Sequence, residues 1–310
     1  MQGALAGPRV GIRATRRLAT ILPWAFHPSR FATGYWSCST REVGGQQCRV
    51  PSNAMHSVLT VEVAQFFAPV LHEKLLAEDF EAVFAGDTDS YKNFVVRMVL
   101  AISLQKMGSG YAGLADSYYL AAMQYFEDVI RPKDLKTLQC LVLIAQYSLL
   151  TPTRTAVYYI TGFATRICQQ LGLNEEKTIT LGDPDPQTLD MRRRLAWIAT
   201  ANEFGLAHTM GRPNGFAKSE DHMDVEFFST VDDEHITPNG IQPGPASEKK
   251  LVAIHFCKMR LLQAEVRRVL YEAKRDKPNH ENDPWYSEME NKCKDWLASC
   301  PEQPAWSKIW

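Results

Sequence analysis

The run LKTLQCLVLIAQYSLL, residues 135–150, sets the terms for the rest of the chain. Leu138, Leu141, Val142, Ile144, Ala145 and Leu149 fall on nearly every side of a helical wheel, so a helix here has little polar face to offer water. The run is too long for an ordinary strand and falls short of the roughly 20 residues that span a bilayer, as does every other apolar run in the chain, so a soluble protein is expected. What remains is a helix buried on most sides by other helices. Pro132 and a capping-type Asp134 open it, and the sequence TPT closes it.

The neighbouring segments have the periodicity such a helix needs around it. In DSYKNFVVRMVLAISLQKM, Tyr91, Phe94, Val95, Met98, Ile102 and Leu104 recur at three- and four-residue steps. LADSYYLAAMQYFEDVIRP places Leu114, Tyr118, Leu120, Ala121, Tyr125 and Ile130 around one face. RTAVYYITGFATRICQQLGL runs to Gly172, a natural residue for a left-handed helix end. The breaker-rich loop NEEKTITLGDPDP leads into QTLDMRRRLAWIATANEFGLAHTMGRP, a long helix ended by Gly211 and Pro213. Upstream, Pro69 divides VEVAQFFAPVLHEKLLAEDFEAVFAG into two helical pieces. Downstream, a helix over about 247–275 aligns Leu251, Ile254, Lys258, Leu262, Val266 and Val269 or Leu270, and DPWYSEMENKCKDWLASCP makes one more. Residues 211–247 lack periodicity, and no alternating strand pattern occurs anywhere. The expected class is all-α, an array of antiparallel helices.

Charge is unevenly spread. Residues 1–50 hold seven Arg, no Lys and one acid, Glu42, so they carry +6 and the remainder −7 against a total of −1. The body therefore gives no support for nonspecific DNA binding. The Arg-rich N-terminus has the composition of a mitochondrial transit peptide, of a disordered basic arm, or of sequence added by an incorrect gene model. Seven cysteines, Cys38, Cys48, Cys140, Cys168, Cys257, Cys293 and Cys300, show no C-x-x-C and are expected as reduced thiols, several on apolar helix faces.

GSGYAG, residues 108–113, is a literal G-x-G-x-x-G. A dinucleotide site needs a strand before it and a carboxylate at the tip of a second strand about 20 residues on. Here a helical pattern precedes it, and Glu127 and Asp128 fall inside a helix. A helix–helix turn, with glycine supplying a positive φ, is the favoured reading. HEKLL at His72 lacks the second histidine of a zinc-protease motif, and no G-x-S-x-G is present. His208, His222, His235 and His255 lie at no repeated ligand spacing and are expected on the surface or satisfied.

The most distinctive block is DMRRRLAWIATANEFGLAHTMGRP. Arg192, Arg193 and Arg194 stand about 100° apart on a helix, so at least one turns toward the protein. An inward arginine pairs with a carboxylate or caps a helix C-terminus sooner than it binds a substrate. EDHMDVEFFSTVDDEH interleaves acids with Phe227 and Phe228, either as an acidic activation segment or as a loop covering the core.

Taken in order, these blocks resemble the middle homology region of the fungal zinc binuclear-cluster transcription factors, the fungal-specific transcription factor domain, over roughly residues 60–310. The resemblance rests on Leu171, Gly172 and Leu173, on Arg192 to Arg194 with Trp197, on Gly211, Arg212 and Pro213, and on Asp221, Asp224 and Val225. FFAPVLHEKLLAEDF resembles the family's entry segment and CKDWLASCPEQP its Leu/Trp/Pro helix end. Ala196 replaces the usual aromatic before the Trp, and in ANEFG Glu203 is the nearest acid to the family's Asp-Arg pair, so the internal ion pairs are expected to be rewired.

Composition points to a basic disordered segment over 1–55, and the resemblance implies a helical regulatory domain over 56–310 that ends early. It implies a nuclear transcription regulator rather than an enzyme, with the motif residues as structural landmarks. Partners would be other transcription factors or coregulators, a small-molecule effector, or copies of the chain, with no membrane. The family's DNA-binding module takes six cysteines for two zinc ions, and Cys38 and Cys48 cannot form it, so no cofactor and no specific DNA binding are expected of this chain. Two other readings are a nucleotide-dependent or mitochondrial enzyme using Gly108 to Gly113 and a helical scaffold protein acting through the 247–275 helix.

Overall fold

The computed structural model describes residues 68–301, apart from 153, 217–222, 272–277, 279 and 281. The expectations for residues 1–55, for Cys38 and Cys48, and for Asp221 and His222 lie outside the described residues. Ten α-helices occur among those described: α1 (Glu73–Phe84), α2 (Ser90–Met107), α3 (Ala112–Met123), α4 (Phe126–Ile130), α5 (Leu135–Leu150), α6 (Val157–Gln170), α7 (Glu176–Ile179), α8 (Pro186–Met210), α9 (Glu248–Tyr271) and α10 (Pro284–Ala298).

α5 is the central helix. Asp134 accepts from the Thr137 N–H at 2.9 Å and so caps its start. Every residue from Thr137 to Ser148 is buried, because α2, α4, α6 and α8 surround the helix. α2 brings Phe94, Val95, Met98 and Ile102 to this core, α8 brings Leu195 and Ile198, and α9 closes it with Ala253, Ile254 and Cys257. α10 packs on the other side of α9 through a separate cluster of Met259, Val266, Tyr286, Met289, Cys293 and Trp296.

Five sequence expectations change. The segment after the glycines is two helices, α3 and α4, broken at Gln124 and Tyr125. Its buried face is Ala115, Tyr119 and Ala122 rather than the larger apolar residues, with Leu114 and Leu120 about half exposed. Alanines allow α3 to lie close along α2, and that proximity outweighs the area a leucine would bury. On α9 the buried positions run from Lys250 through Ala253, Ile254, Cys257 and Arg260 to Val266, while Lys258 is exposed. A helix that serves two clusters buries more than one stripe. The loop after Leu173 contains α7, whose Ile179 is fully buried. Residues 211–247 contain a hairpin, β1 (Ile236–Thr237) paired antiparallel with β2 (Gly240–Ile241), whose two-residue strands are too short to leave an alternating pattern.

The G-x-G-x-x-G segment joins α2 to α3 through a 3₁₀ turn at Ser109–Tyr111. Gly108 adopts φ +140° at the end of α2, whereas Gly110 and Gly113 have no such backbone demand and no heavy atom within 4 Å of where a Cβ would stand. Glu127 and Asp128 lie in the first turn of α4, not in mid-helix, where both pair with Arg131.

Candidate functional site

The three consecutive arginines leave α8 in three directions and tie down three different parts of the chain. α8 starts on Asp185, whose carboxylate accepts from the Thr188 N–H at 3.0 Å, with Pro186 at its first position. Two turns in, Arg192 donates to the carbonyls of Ile179 at 2.7 Å and Leu181 at 3.3 Å, closing the C-terminal end of α7. Arg193 pairs with Glu176 in the first turn of α7 and with Glu226 at 2.6 Å. The second oxygen of Glu176 accepts from the Glu226 N–H at 3.0 Å, and the Glu176 N–H donates to the Asp224 carbonyl at 2.6 Å.

Arg194 is wholly buried. Its Nε donates to Asp190 at 2.6 Å, one turn back, and its two terminal nitrogens donate to Asp233 at 3.1 and 2.5 Å. Asp233 also receives the Lys250 ammonium at 2.6 Å and the Glu73 N–H at 2.9 Å. The free oxygen of Asp190 accepts from the Ser229 N–H at 2.7 Å, and Lys250 donates to the Val231 carbonyl at 2.6 Å. The network thus joins the start of α1, the middle of α8, the 223–235 loop and the start of α9. Lys249 adds an ion pair to Glu73 at 2.7 Å.

The electrostatics follow from this geometry. Burial alone would raise the Asp233 carboxyl, but the Arg194 guanidinium and the Lys250 ammonium outweigh it and hold the group well below the usual carboxylate range. Burial also opposes charge on Arg194, yet Asp233 and Asp190 raise its guanidinium above its ordinary value. Lys250 is pulled down by burial and by Arg194, against the attraction of Asp233. All three lie within one buried hydrogen-bond net, in which each charge faces a partner of opposite sign.

Trp197, one turn beyond Arg193, is buried against the same loop. Its Nε1 donates to the Glu226 carbonyl at 3.0 Å, and its ring stacks on Phe227 with centroids 4.2 Å apart. Phe228 is buried in the main core. The acidic stretch therefore covers the core with its phenylalanines and spends Asp233 inside.

Leu171, Gly172 and Leu173 end α6. Gly172 has φ +67°, its N–H donates to the Gln169 carbonyl at 3.0 Å, and the Leu173 N–H donates to that of Cys168 at 3.0 Å. Leu173 turns into the core and starts the chain toward α7. Gly211 ends α8 in the same way, with φ +63° and the Arg212 N–H on Ala207 at 3.0 Å. From α9, Arg267 donates to the Ala207 carbonyl at 2.8 Å and the Arg212 carbonyl at 2.7 Å. The exposed Gly211, Arg212, Pro213 turn is roughly 25 Å along α8 from Arg194, so it belongs to a separate joint. Glu203 serves that end, accepting from the Gly215 N–H at 2.8 Å.

The sequence offered Arg192, Arg193, Arg194, Trp197 and Asp224 only as successive motif landmarks, and the structure brings them together through α7 and the loop; the side chain of Asp224 itself is exposed and its carbonyl makes the contact. It missed Glu176, Asp233 and Lys250. Asp190, four residues before Arg194, carried a local signal as an i,i+4 pair.

The described cysteines do not suit a zinc cluster. Cys140, Cys168, Cys257 and Cys293 are buried, and burial pushes the Cys168 and Cys257 thiols up to about 12, away from the thiolate that zinc requires. Among the described residues no group of three or more His, Cys, Asp or Glu is placed to hold a metal, and no helix is long and apolar enough to cross a membrane.

An all-α domain whose most polar residues lock a loop onto a long helix is thus a helical body built around a structural ion-pair node. It matches the model of the fungal specific transcription factor domain over residues 60–298, and the chain belongs to that family. It is 28% identical over 237 residues to the transcriptional activator protein acu-15 of Neurospora crassa, covering 72% of this chain and 24% of that one. It is 27% identical over 191 residues to a positive regulator of purine utilization of Emericella nidulans, covering 50% of this chain and 18% of that one. It is 28% identical over 191 residues to the pyrimidine pathway regulatory protein 1 of Saccharomyces cerevisiae, covering 58% and 21%. The chain spans about a fifth to a quarter of the length of these relatives. No solved structure matches the chain significantly.

Proposed function

We propose that this chain acts in transcriptional regulation as a regulatory body of the fungal specific transcription factor type, not as an enzyme. The observation that carries the proposal is that the arginine run on which the family resemblance turns is consumed internally, by Glu176, Asp190 and Asp233, within a domain that matches the family over 60–298. Such a node sets the relative positions of α1, α8 and α9 and leaves their outer faces to partners. In this reading the chain works in the nucleus, contacts other transcription factors or coregulators, responds to a small-molecule effector, and supplies no cofactor of its own. Zinc and sequence-specific DNA contact would come only with a six-cysteine cluster, which Cys38 and Cys48 do not make.

A reporter assay tests the reading. Fused to a heterologous DNA-binding domain in a fungal host, the chain should change transcription from a reporter carrying that domain's site. Activity equal to the DNA-binding domain alone, with the fusion expressed and nuclear, would count against it.

A further inference from the structure

α9 is packed on two sides, and the side away from the main core has a pattern of its own. Ala253, Ile254 and Cys257 face the core, while Lys249 and Lys250 tie the start of the helix to Glu73 and Asp233. His255, Met259, Leu262, Val266 and Leu270 form a second stripe, at steps of four, three, four and four residues. α10 meets it with Tyr286, Met289, Cys293 and Trp296, at steps of three, four and three. This is the spacing of a coiled-coil seam. Trp296 lies on His255 near the start of α9, and Lys292 pairs with Glu265 further along at 2.7 Å, so the two helices run antiparallel. The Trp296 ring stacks on His255 with centroids 4.3 Å apart, and its Nε1 donates to the His255 carbonyl at 2.9 Å.

α10 belongs to the fold through this seam. Its cluster is distinct from the main core, four of its 15 residues are buried, and its outer face, with Ser287, Glu288, Asn291, Lys294 and Asp295, is exposed. An element with so small a buried face opens at low free energy, whereas a helix such as α5, buried from Thr137 to Ser148, opens only with the whole molecule. α9 does not depend on α10, because the core and the ion pairs hold it from the other side. A free helix of this length is marginal in water, so α10 is helical because it is docked. What its release uncovers is an apolar seam on a fixed helix, the surface an amphipathic helix recognises.

We propose that this seam is a docking site for an amphipathic helix of a partner protein, and that α10 is the resident occupant which that helix displaces. The chemistry of the incoming helix is read from α10. It carries an aromatic residue, an apolar residue three positions later, a small or apolar one four positions after that, and a Trp three further on, as Tyr286, Met289, Cys293 and Trp296 do. The Trp is the anchor, since it supplies both the stack and the hydrogen bond at His255. A cation one turn before it meets Glu265, as Lys292 does. The exchange conserves the buried face, so the partner competes with a tethered segment whose effective concentration is on the order of millimolar. As a coregulator contact the seam rests on the regulatory reading above, whereas docking itself does not.

The probe is a fluorescein-labelled peptide of residues 282–300, followed by anisotropy against the full chain and against the full chain carrying Met289→Glu and Trp296→Ala, which empty the seam. The double variant should bind the peptide at least about tenfold more tightly than the native chain, whose own α10 competes. A peptide carrying the same two substitutions should not bind. Glu265→Lys in the double variant should weaken binding, and Lys292→Glu in the peptide should restore it. A second peptide that keeps Tyr286, Met289, Lys292, Cys293 and Trp296 and changes the other positions to Ala, Gln or Lys should bind within about threefold of the first, because a few central side chains carry most of an interface. Equal binding to native chain and double variant, binding to neither, or failure of the second peptide overturns the proposal. So does loss of cooperative unfolding in the double variant, which would make α10 part of the main fold. Hydrogen exchange asks the same of the native chain: α10 amides should exchange at least about tenfold faster than those of α5, and equal protection counts against release. Peptide binding by a chain that drives no reporter leaves the seam standing without the regulatory reading, and reporter activity without peptide binding does the reverse.

Discussion

Arg194 and Asp233, 39 residues apart, meet through two hydrogen bonds of 3.1 and 2.5 Å in the interior. The pair fastens the 223–235 loop to α8, and Lys250 carries the same carboxylate on to α9. Replacing Arg194 with Met removes the guanidinium that joins two buried carboxylates, Asp190 and Asp233. Breaking a buried pair from one side leaves uncompensated charge, so the expected loss is about 3–5 kcal/mol, measured by urea unfolding. A loss within about 0.5 kcal/mol, the range of ordinary surface substitutions, would show that the node does not hold the fold.

The same pair gives the protein an acid sensitivity. The Asp233 carboxyl is held below its unfolded value of about 3.9 by Arg194 and Lys250 despite burial. Its stabilisation is therefore complete above about pH 5 and is lost as pH falls toward the folded value, because the unfolded chain takes up the proton first. Unfolding free energy of the native chain should fall between about pH 5 and 2, and Asp233→Asn, less stable at pH 7, should show a shallower fall. Identical slopes in the two proteins would assign the acid sensitivity to other carboxylates.

Trp197 tests the loop from its aromatic side. Trp197→Phe keeps a ring against Phe227 but drops the hydrogen bond to the Glu226 carbonyl, at an expected cost of about 1 kcal/mol. Phe227→Ala removes the stack. A double-mutant cycle between Trp197→Leu and Phe227→Ala should return a coupling of about 0.5–1.5 kcal/mol, and additivity would mean that the two rings do not support each other.

The architecture was readable where one helix satisfied its own pattern. Residues 135–150 have so little polar face that burial followed directly, and Asp134, Gly172 and Gly211 marked element ends by local chemistry. The node was half readable. Asp190 and Arg194 are one turn apart on a helix, but Asp233 is one acid among several in a stretch without periodicity, and only the path of the loop selects it. The α3 and α9 faces were misjudged because both depend on partners. Alanine contact with α2 sets one, and packing on both α8 and α10 sets the other.

Gly172 combines two constraints. Its φ of +67° disfavours any Cβ, and a Cβ placed there would stand 2.1 Å from Thr178 Cγ2 and 3.0 Å from Thr178 Cβ. Gly172→Ala should cost more than the roughly 1 kcal/mol of the backbone effect alone, since the start of α7 has to move. Adding Thr178→Ala removes the closer contact and should recover part of the loss in chemical denaturation. No recovery would place the whole cost in the backbone.

The glycines of GSGYAG divide sharply. Gly108 sits at φ +140° and should not tolerate alanine, at a cost of about 1 kcal/mol or more. Gly110 has an unexceptional φ and open space around its missing Cβ, so Gly110→Ala should be neutral or stabilising by about 0.4–1 kcal/mol through the unfolded chain. A nucleotide cradle demands the opposite, because its second glycine is there to let the backbone approach the pyrophosphate. The two readings separate in one pair of experiments, thermal unfolding of Gly110→Ala and calorimetric titration of the native chain with NAD. Retained stability and no heat of binding fit a helix–helix turn. Saturable heat that Gly110→Ala abolishes would restore the enzyme reading.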